Sequence, residues 1–231
     1  MHTRNSLLVL ALAACSSAPS AKPVESPKPK RFDVEVRGYF FQGFRGDTEA
    51  LAVGMQKTEA RLATHPDDAE ALVWHGGGLA FQAGEAFRRG DRAAGQDLYT
   101  RGVAEVERAR GLAPERVSIL IPSGALYLSM SLFMPPGPNA KALLEKGVTD
   151  YEATLRLQGA GFAGLGSHAR GQLLYGLADG HARLGDDAKA RGYYQRLVRE
   201  VPDSPLAPRA QGWLDGKPAT DKVTCIGCHE G

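Results

Sequence analysis

The chain has 231 residues, 43% hydrophobic and 23% charged, enough for one sizeable core and one folded domain. Its 28 basic and 26 acidic residues leave a formal net charge of +2, which argues against a nucleic-acid-binding surface and against an acidic tail. One cysteine lies near the start and two lie far downstream, and an odd count in an exported protein needs an explanation.

The first cysteine supplies part of it. Arg4 precedes an apolar run from Leu7 to Ala14, too short to span a bilayer but suited to a signal-peptide core. The run closes on Leu12, Ala13, Ala14 and Cys15. In this order the residues resemble the bacterial lipobox. The resemblance implies that residues 1–14 are removed and that Cys15 becomes a lipidated N-terminus anchoring the chain to a membrane. Ser16, where sorting to the inner membrane would use Asp, implies export to the periplasmic face of the outer membrane. An ordinary secretory signal cleaved nearby is the alternative. Residues 15–31 then form a tether, because four prolines among Ser, Ala and Lys cannot bury a core. Fully extended at ~3.1 Å per residue, it spans on the order of 50 Å.

Beyond the tether, Phe32 to Val36 alternate apolar and polar, which predicts a short strand or an extended lead-in. Tyr39, Phe40, Phe41 and Phe44 follow closely, and are expected to pack as a cap on the first helices or to form a sticky binding edge. From Asp47 onward apolar residues recur at helical spacing. Eight helices are predicted: 47–64, 67–88, 92–112, 117–133, 139–158, 167–184, 187–200 and 206–214. Gly185 and Asp186 separate two of them, with glycine as the C-terminal cap. Asn139, after the prolines at 135, 136 and 138, is placed as an N-terminal cap. Pro66, Pro114 and Pro202 each close a helical run, at separations of 48 and 88 residues, and a boundary near Gly159 to Gly161 divides the longer interval. The beat predicts helical hairpins of roughly 34 to 48 residues stacked in series.

The last unit carries Leu174, Leu177, Ala178, His181, Ala190, Tyr194, Leu197 and Pro202 at the spacing of a tetratricopeptide repeat, which it resembles closely. Leu174, Ala178 and His181 stand where the family has Trp, Gly and Tyr. The unit closing at Pro114 looks like a longer relative, and the match is weak before Asp67. The resemblance implies an all-α, tetratricopeptide-like helical-hairpin superhelix over residues 32–214, with a concave groove that binds protein partners. Small residues at Gly102, Ala109 and Ala190 are expected to let paired helices approach closely.

The strongest chemical signal lies in the tail, residues 215–231. Cys225, Cys228 and His229 stand in the order C-x-x-C-H, the signature of covalent c-type haem attachment. Two thiols three apart can bond both vinyl groups, and the adjacent imidazole of His229 then falls on the iron as proximal ligand. A disulfide or redox-active thiol pair is a competing reading, although a thioredoxin-like site would need a βαβ scaffold. Zinc is another, with only three local ligands where about four are usual. Only Glu230 and Gly231 follow the motif here, so a sixth ligand is expected from upstream, from a partner, or not at all. His65, His75, His168, His181, Met130 and Met134 are the candidates. His181 and the two methionines read equally as core residues, and His168 as part of a capping turn.

Two apparent motifs are set aside. His75 to Gly78 resemble an esterase oxyanion loop, but no G-x-S-x-G nucleophile exists. Gly159 to Gly164 match G-x-G-x-x-G but follow a helix where nucleotide binding needs a strand. The whole resembles exported bacterial repeat proteins that carry a C-x-x-C-H motif. A membrane-anchored, non-enzymatic scaffold for electron transfer or complex assembly is the expectation. The alternatives are an adaptor lipoprotein with paired or idle thiols, and a thiol–disulfide redox protein.

Overall fold

A computed structural model describes residues 31–217 of the chain. Among them are nine α-helices: α1 Phe32–Phe44, α2 Thr48–Thr64, α3 Ala69–Arg88, α4 Arg92–Leu112, α5 Val117–Phe133, α6 Pro138–Gln158, α7 Ser167–Leu184, α8 Asp187–Glu200 and α9 Ala207–Leu214. A 3₁₀ turn, Gly159–Gly164, links α6 to α7. The described residues contain no strand. The helices pack in successive pairs, α1 with α2, α3 with α4, α5 with α6 and α7 with α8, and α9 closes the stack against α8. The fold is an all-α, helical-hairpin superhelix. No helix among the described residues is long and apolar enough to cross a membrane.

Two kinds of turn alternate along the stack. Within three of the pairs the chain turns through a glycine with positive φ, Gly46, Gly90 or Gly185. The next residue, Asp47, Asp91 or Asp186, caps the second helix by accepting from the backbone N–H of Ala50, Ala94 or Lys189. Between pairs the helix ends on His65, Ala113 or Val201, each at φ between −136° and −144°. Each precedes a proline, whose ring drives that residue out of the helical region.

The predicted helices 47–64 to 206–214 recur with shifts of at most two residues, but two expectations fail. Phe32 to Val36 are the first turns of α1, neither a strand nor a lead-in. Over the whole helix the buried positions are Asp33, Val36, Phe40 and Gly43, a helical period that a five-residue window cannot display. Asn139 does not cap α6. Gly137 occupies the cap and Pro138 the first turn, where proline's missing N–H costs nothing.

Every position that carried the repeat resemblance in the last unit, from Leu174 to Leu197, is buried, and so is Val201 before Pro202. Buried side chains form two clusters. One spans α1 to α5 with Leu143 of α6, and the other spans α5 to α9. Close approach does depend on small residues. A Cβ on Gly102 would lie 2.6 Å from the carbonyl oxygen of Gly76, and Gly76 meets the Gly102 carbonyl at the same distance. Ala109 and Ala190 are fully buried in the same role. Gly78 of the H-G-G-G stretch is likewise a packing residue, against Met55 and Phe40.

Candidate functional site

Helices α1, α3 and α5, with Gln96 and Tyr99 of α4 and the first turn of α7, line one concave groove of about 1510 Å³. Its register comes from one buried carboxylate. Glu70, in the first turn of α3, accepts from the backbone N–H of Asp33 on α1 at 2.9 Å and from the Ser118 hydroxyl of α5 at 2.7 Å. Three helix starts are thereby tied at one level. At 1.5 Å rise per residue, Phe81 and Met130 both stand about 17 Å above that level. The ring of Phe44 meets Phe81 there, with centroids 5.1 Å apart.

The two ends of the groove differ in chemistry. The end near Glu70 is polar, with Arg31, Asp33, Arg37 and His168 on its wall. Burial, and then the neighbouring Glu70, push the Asp33 carboxyl above its ordinary range, against the pull of Arg31 and Arg37. Burial alone pushes His168 below the ordinary histidine value. The other end is mainly apolar: Phe44, Phe81, Phe87, Met130, Phe133 and Met134 gather there, with Arg88, Gln96 and Tyr99 also on the lining. Phe133 is 70% exposed, Phe87 42%. Two buried polar groups also belong to groove-lining residues. The Trp74 indole N–H and the Ser129 hydroxyl have no hydrogen-bond partner among the described residues. Ser123 and Ser131, on the same helix, do bond back to backbone carbonyls.

The aromatic segment of α1 packs as the expected cap and also reaches the groove wall. Phe40 is fully buried and stacks on Trp74 at 5.4 Å, capping the stack. Phe41 and Phe44, on its neighbouring faces, line the groove.

The six candidate iron ligands separate. His65 is exposed at a helix end, its Nδ1 2.8 Å from the Thr64 hydroxyl. His75 is buried, donates from Nδ1 to Glu105 at 2.6 Å, and has Nε2 3.6 Å from Glu59. His181 is a core residue, as expected, donating to Glu152 at 3.0 Å and stacked on Tyr193. Met130, Met134 and His168 all line the groove. The two methionines pack partly against the core, as read from sequence, yet remain at the groove wall. His168 lies in the first turn of α7, whose cap position is Gly166 and carries no side-chain cap. Cys15, the tether, and the motif of Cys225, Cys228 and His229 lie outside the described residues.

A polar network behind the groove is structural. Asp150 accepts from Arg110 at 2.7 Å and from Ser123. Glu107 accepts from Tyr127 at 2.9 Å and pairs with Lys146. Burial lifts the Asp150 carboxyl despite its bonds to Arg110 and Ser123. Burial and the bond to Glu107 lift the Tyr127 phenol far above its usual value. These groups hold α4, α5 and α6 together, and none of them lines the groove.

The groove-lining aromatics Phe81, Phe87 and Phe133 were not singled out from the sequence. Each sits on a helix whose apolar residues exceed what its buried face needs, and that excess was the available signal. No family model matches the chain, and no curated protein matches it.

Proposed function

We propose that the protein is an exported, lipid-anchored tetratricopeptide-like scaffold that binds a protein partner in its concave groove and carries one covalent c-type haem on its tail. It serves electron transfer or complex assembly and is not an enzyme. The observation that carries the scaffold reading is the groove itself: a concave surface lined by aromatic side chains, two of them, Phe87 and Phe133, exposed, on a fold that supplies such surfaces for peptide and protein docking.

The haem reading rests on Cys225, Cys228 and His229 together with the export signal ending at Cys15. Cys225 and Cys228 would hold the haem through thioether bonds to its two vinyl groups, S–H adding across C=C so that no oxidant is needed, and His229 would hold the iron through its imidazole. When bound, the haem would supply one-electron transfer.

A photo-crosslinking residue placed at Phe41 or Ile121, in the groove, tests the scaffold reading against the same residue at Leu112 or Leu157, exposed apolar positions outside the groove lining. Discrete adducts in the native periplasm are expected from the groove positions alone. Equal labelling at all four would remove the groove as the docking surface.

A further inference from the structure

We propose that the apolar end of the groove is the seat of the chain's own C-terminal haem, with a thioether of the Met130–Met134 pair as sixth iron ligand. This rests on the reading of Cys225, Cys228 and His229 as a haem site.

The ligand chemistry comes first. Only Met130, Met134 and His168 of the six candidates line the groove, while His75 and His181 are bonded to carboxylates in the core. Met130 and Met134 are four residues apart, so both stand on one face at the end of α5. Thioether and imidazole together are a common axial pair for c-type haem iron.

The walls fit the group. A porphyrin is flat and apolar with carboxylates on one edge. Phe44, Phe81, Phe87 and Phe133 supply apolar faces around the two sulfurs. The hydroxyl of Ser129, next to Met130, is a buried donor in a groove-lining residue, with no acceptor among the described residues. An edge carboxylate is an acceptor of the kind it lacks. A cleft of about 1510 Å³ leaves space for the polar end to hold a partner as well.

The tail reaches. Trp213, near the end of α9, packs on Tyr194 with ring centroids 4.8 Å apart, and Tyr194 packs on Tyr175 at 5.7 Å. Tyr175 shares a small pocket between α5 and α7 with Ser129, which also lines the groove. The root of the tail is thus two ring contacts from the helix that carries the methionines. From Lys217 to Cys225 the extended chain spans up to ~27 Å at ~3.4 Å per residue. His168 is a worse target. Leu128 packs against Gly176 and Gly180 of α7, which puts His168 about 12 Å below that contact, toward the polar end.

The test uses the full chain matured in a periplasm with the haem-attachment machinery, as wild type, Met130→Leu, Met134→Leu and the double variant. Leucine conserves volume, and thermal melts followed by circular dichroism report whether each variant is folded. Wild type is expected to stain for covalent haem and to show, when oxidised, the weak far-red band of sulfur-ligated ferric haem. The double variant keeps the stain, loses the band, gains carbon monoxide binding when reduced, and falls in reduction potential. The single variants assign the sulfur. A stained double variant with an unchanged spectrum overturns the proposal, as does a spectrum altered only by His168→Ala. An unstained wild type overturns the haem reading itself, and the proposal with it. As a check independent of ligation, Cys225→Ser/Cys228→Ser is expected to speed amide hydrogen exchange at the C-terminal end of α5. Unchanged exchange there counts against docking.

Discussion

Asp150 shows how a single buried group holds three helices at once. Its side chain is 2% exposed and pairs with Arg110, itself 21% exposed. Removing the carboxylate leaves the largely buried guanidinium with Glu107 as its remaining ion-pair partner, at 2.9 Å. Asp150→Ala is expected to cost about 3 kcal/mol in urea denaturation, toward the low end for a broken buried pair because Arg110 keeps some contact with water. His168 sets a pH dependence of known sign. Its folded pKa is depressed below 6.5 by burial, so the neutral ring contributes stability above that value. The contribution is lost as pH falls through the folded pKa. Wild type should therefore lose more of its urea midpoint between about pH 7.5 and 5.5 than His168→Gln does. Asp33, Asp150 and Asp179 shift the other way but are common to both proteins, so they cancel in the comparison.

At the scale of the helix, the paired geometry rests on glycine where backbones touch. Gly102→Ala drives a Cβ against the Gly76 carbonyl and the Ala80 nitrogen, which are backbone and cannot rotate away. It is expected to destabilise by roughly 1–3 kcal/mol, as overpacking does. Gly192, exposed in the middle of α8, would meet nothing within 4 Å. Gly192→Ala is expected to stabilise by about 0.5–1 kcal/mol through helix propensity alone. The same contrast explains what was legible in the sequence. Helices 92–112, 117–133, 167–184 and 187–200 could be read to the residue, because their ends are marked by proline, by glycine or by an aspartate cap. The first helix was missed, although its signal was present. Gly46-Asp47 repeats the turn of Gly90-Asp91 and Gly185-Asp186, and such a turn needs a helix before it as well as after. The groove was legible only as an expectation of the fold. Which apolar residues stay at its wall depends on the register set by Glu70, and no local pattern reveals a bond spanning 48 residues to Ser118.

Across the whole molecule, the groove and the tail share the proposed function between them. The stack presents a groove polar at one end and mainly apolar at the other, and the tail that follows α9 carries the C-x-x-C-H motif. In the proposed reading, the lipobox-like run ending at Cys15 would put the same chain in the compartment where covalent haem is attached. A seated haem would leave the end with Arg31, Arg37 and Phe41 free to receive a partner, so docking and electron transfer would share one surface. The most direct measurement is the intact mass of the full chain after maturation in a periplasm that attaches haem. A single haem increment, removed in Cys225→Ser/Cys228→Ser, is the predicted result. A wild-type mass equal to that of the polypeptide and its lipid, with a known c-type cytochrome loaded in the same cells, would contradict the account.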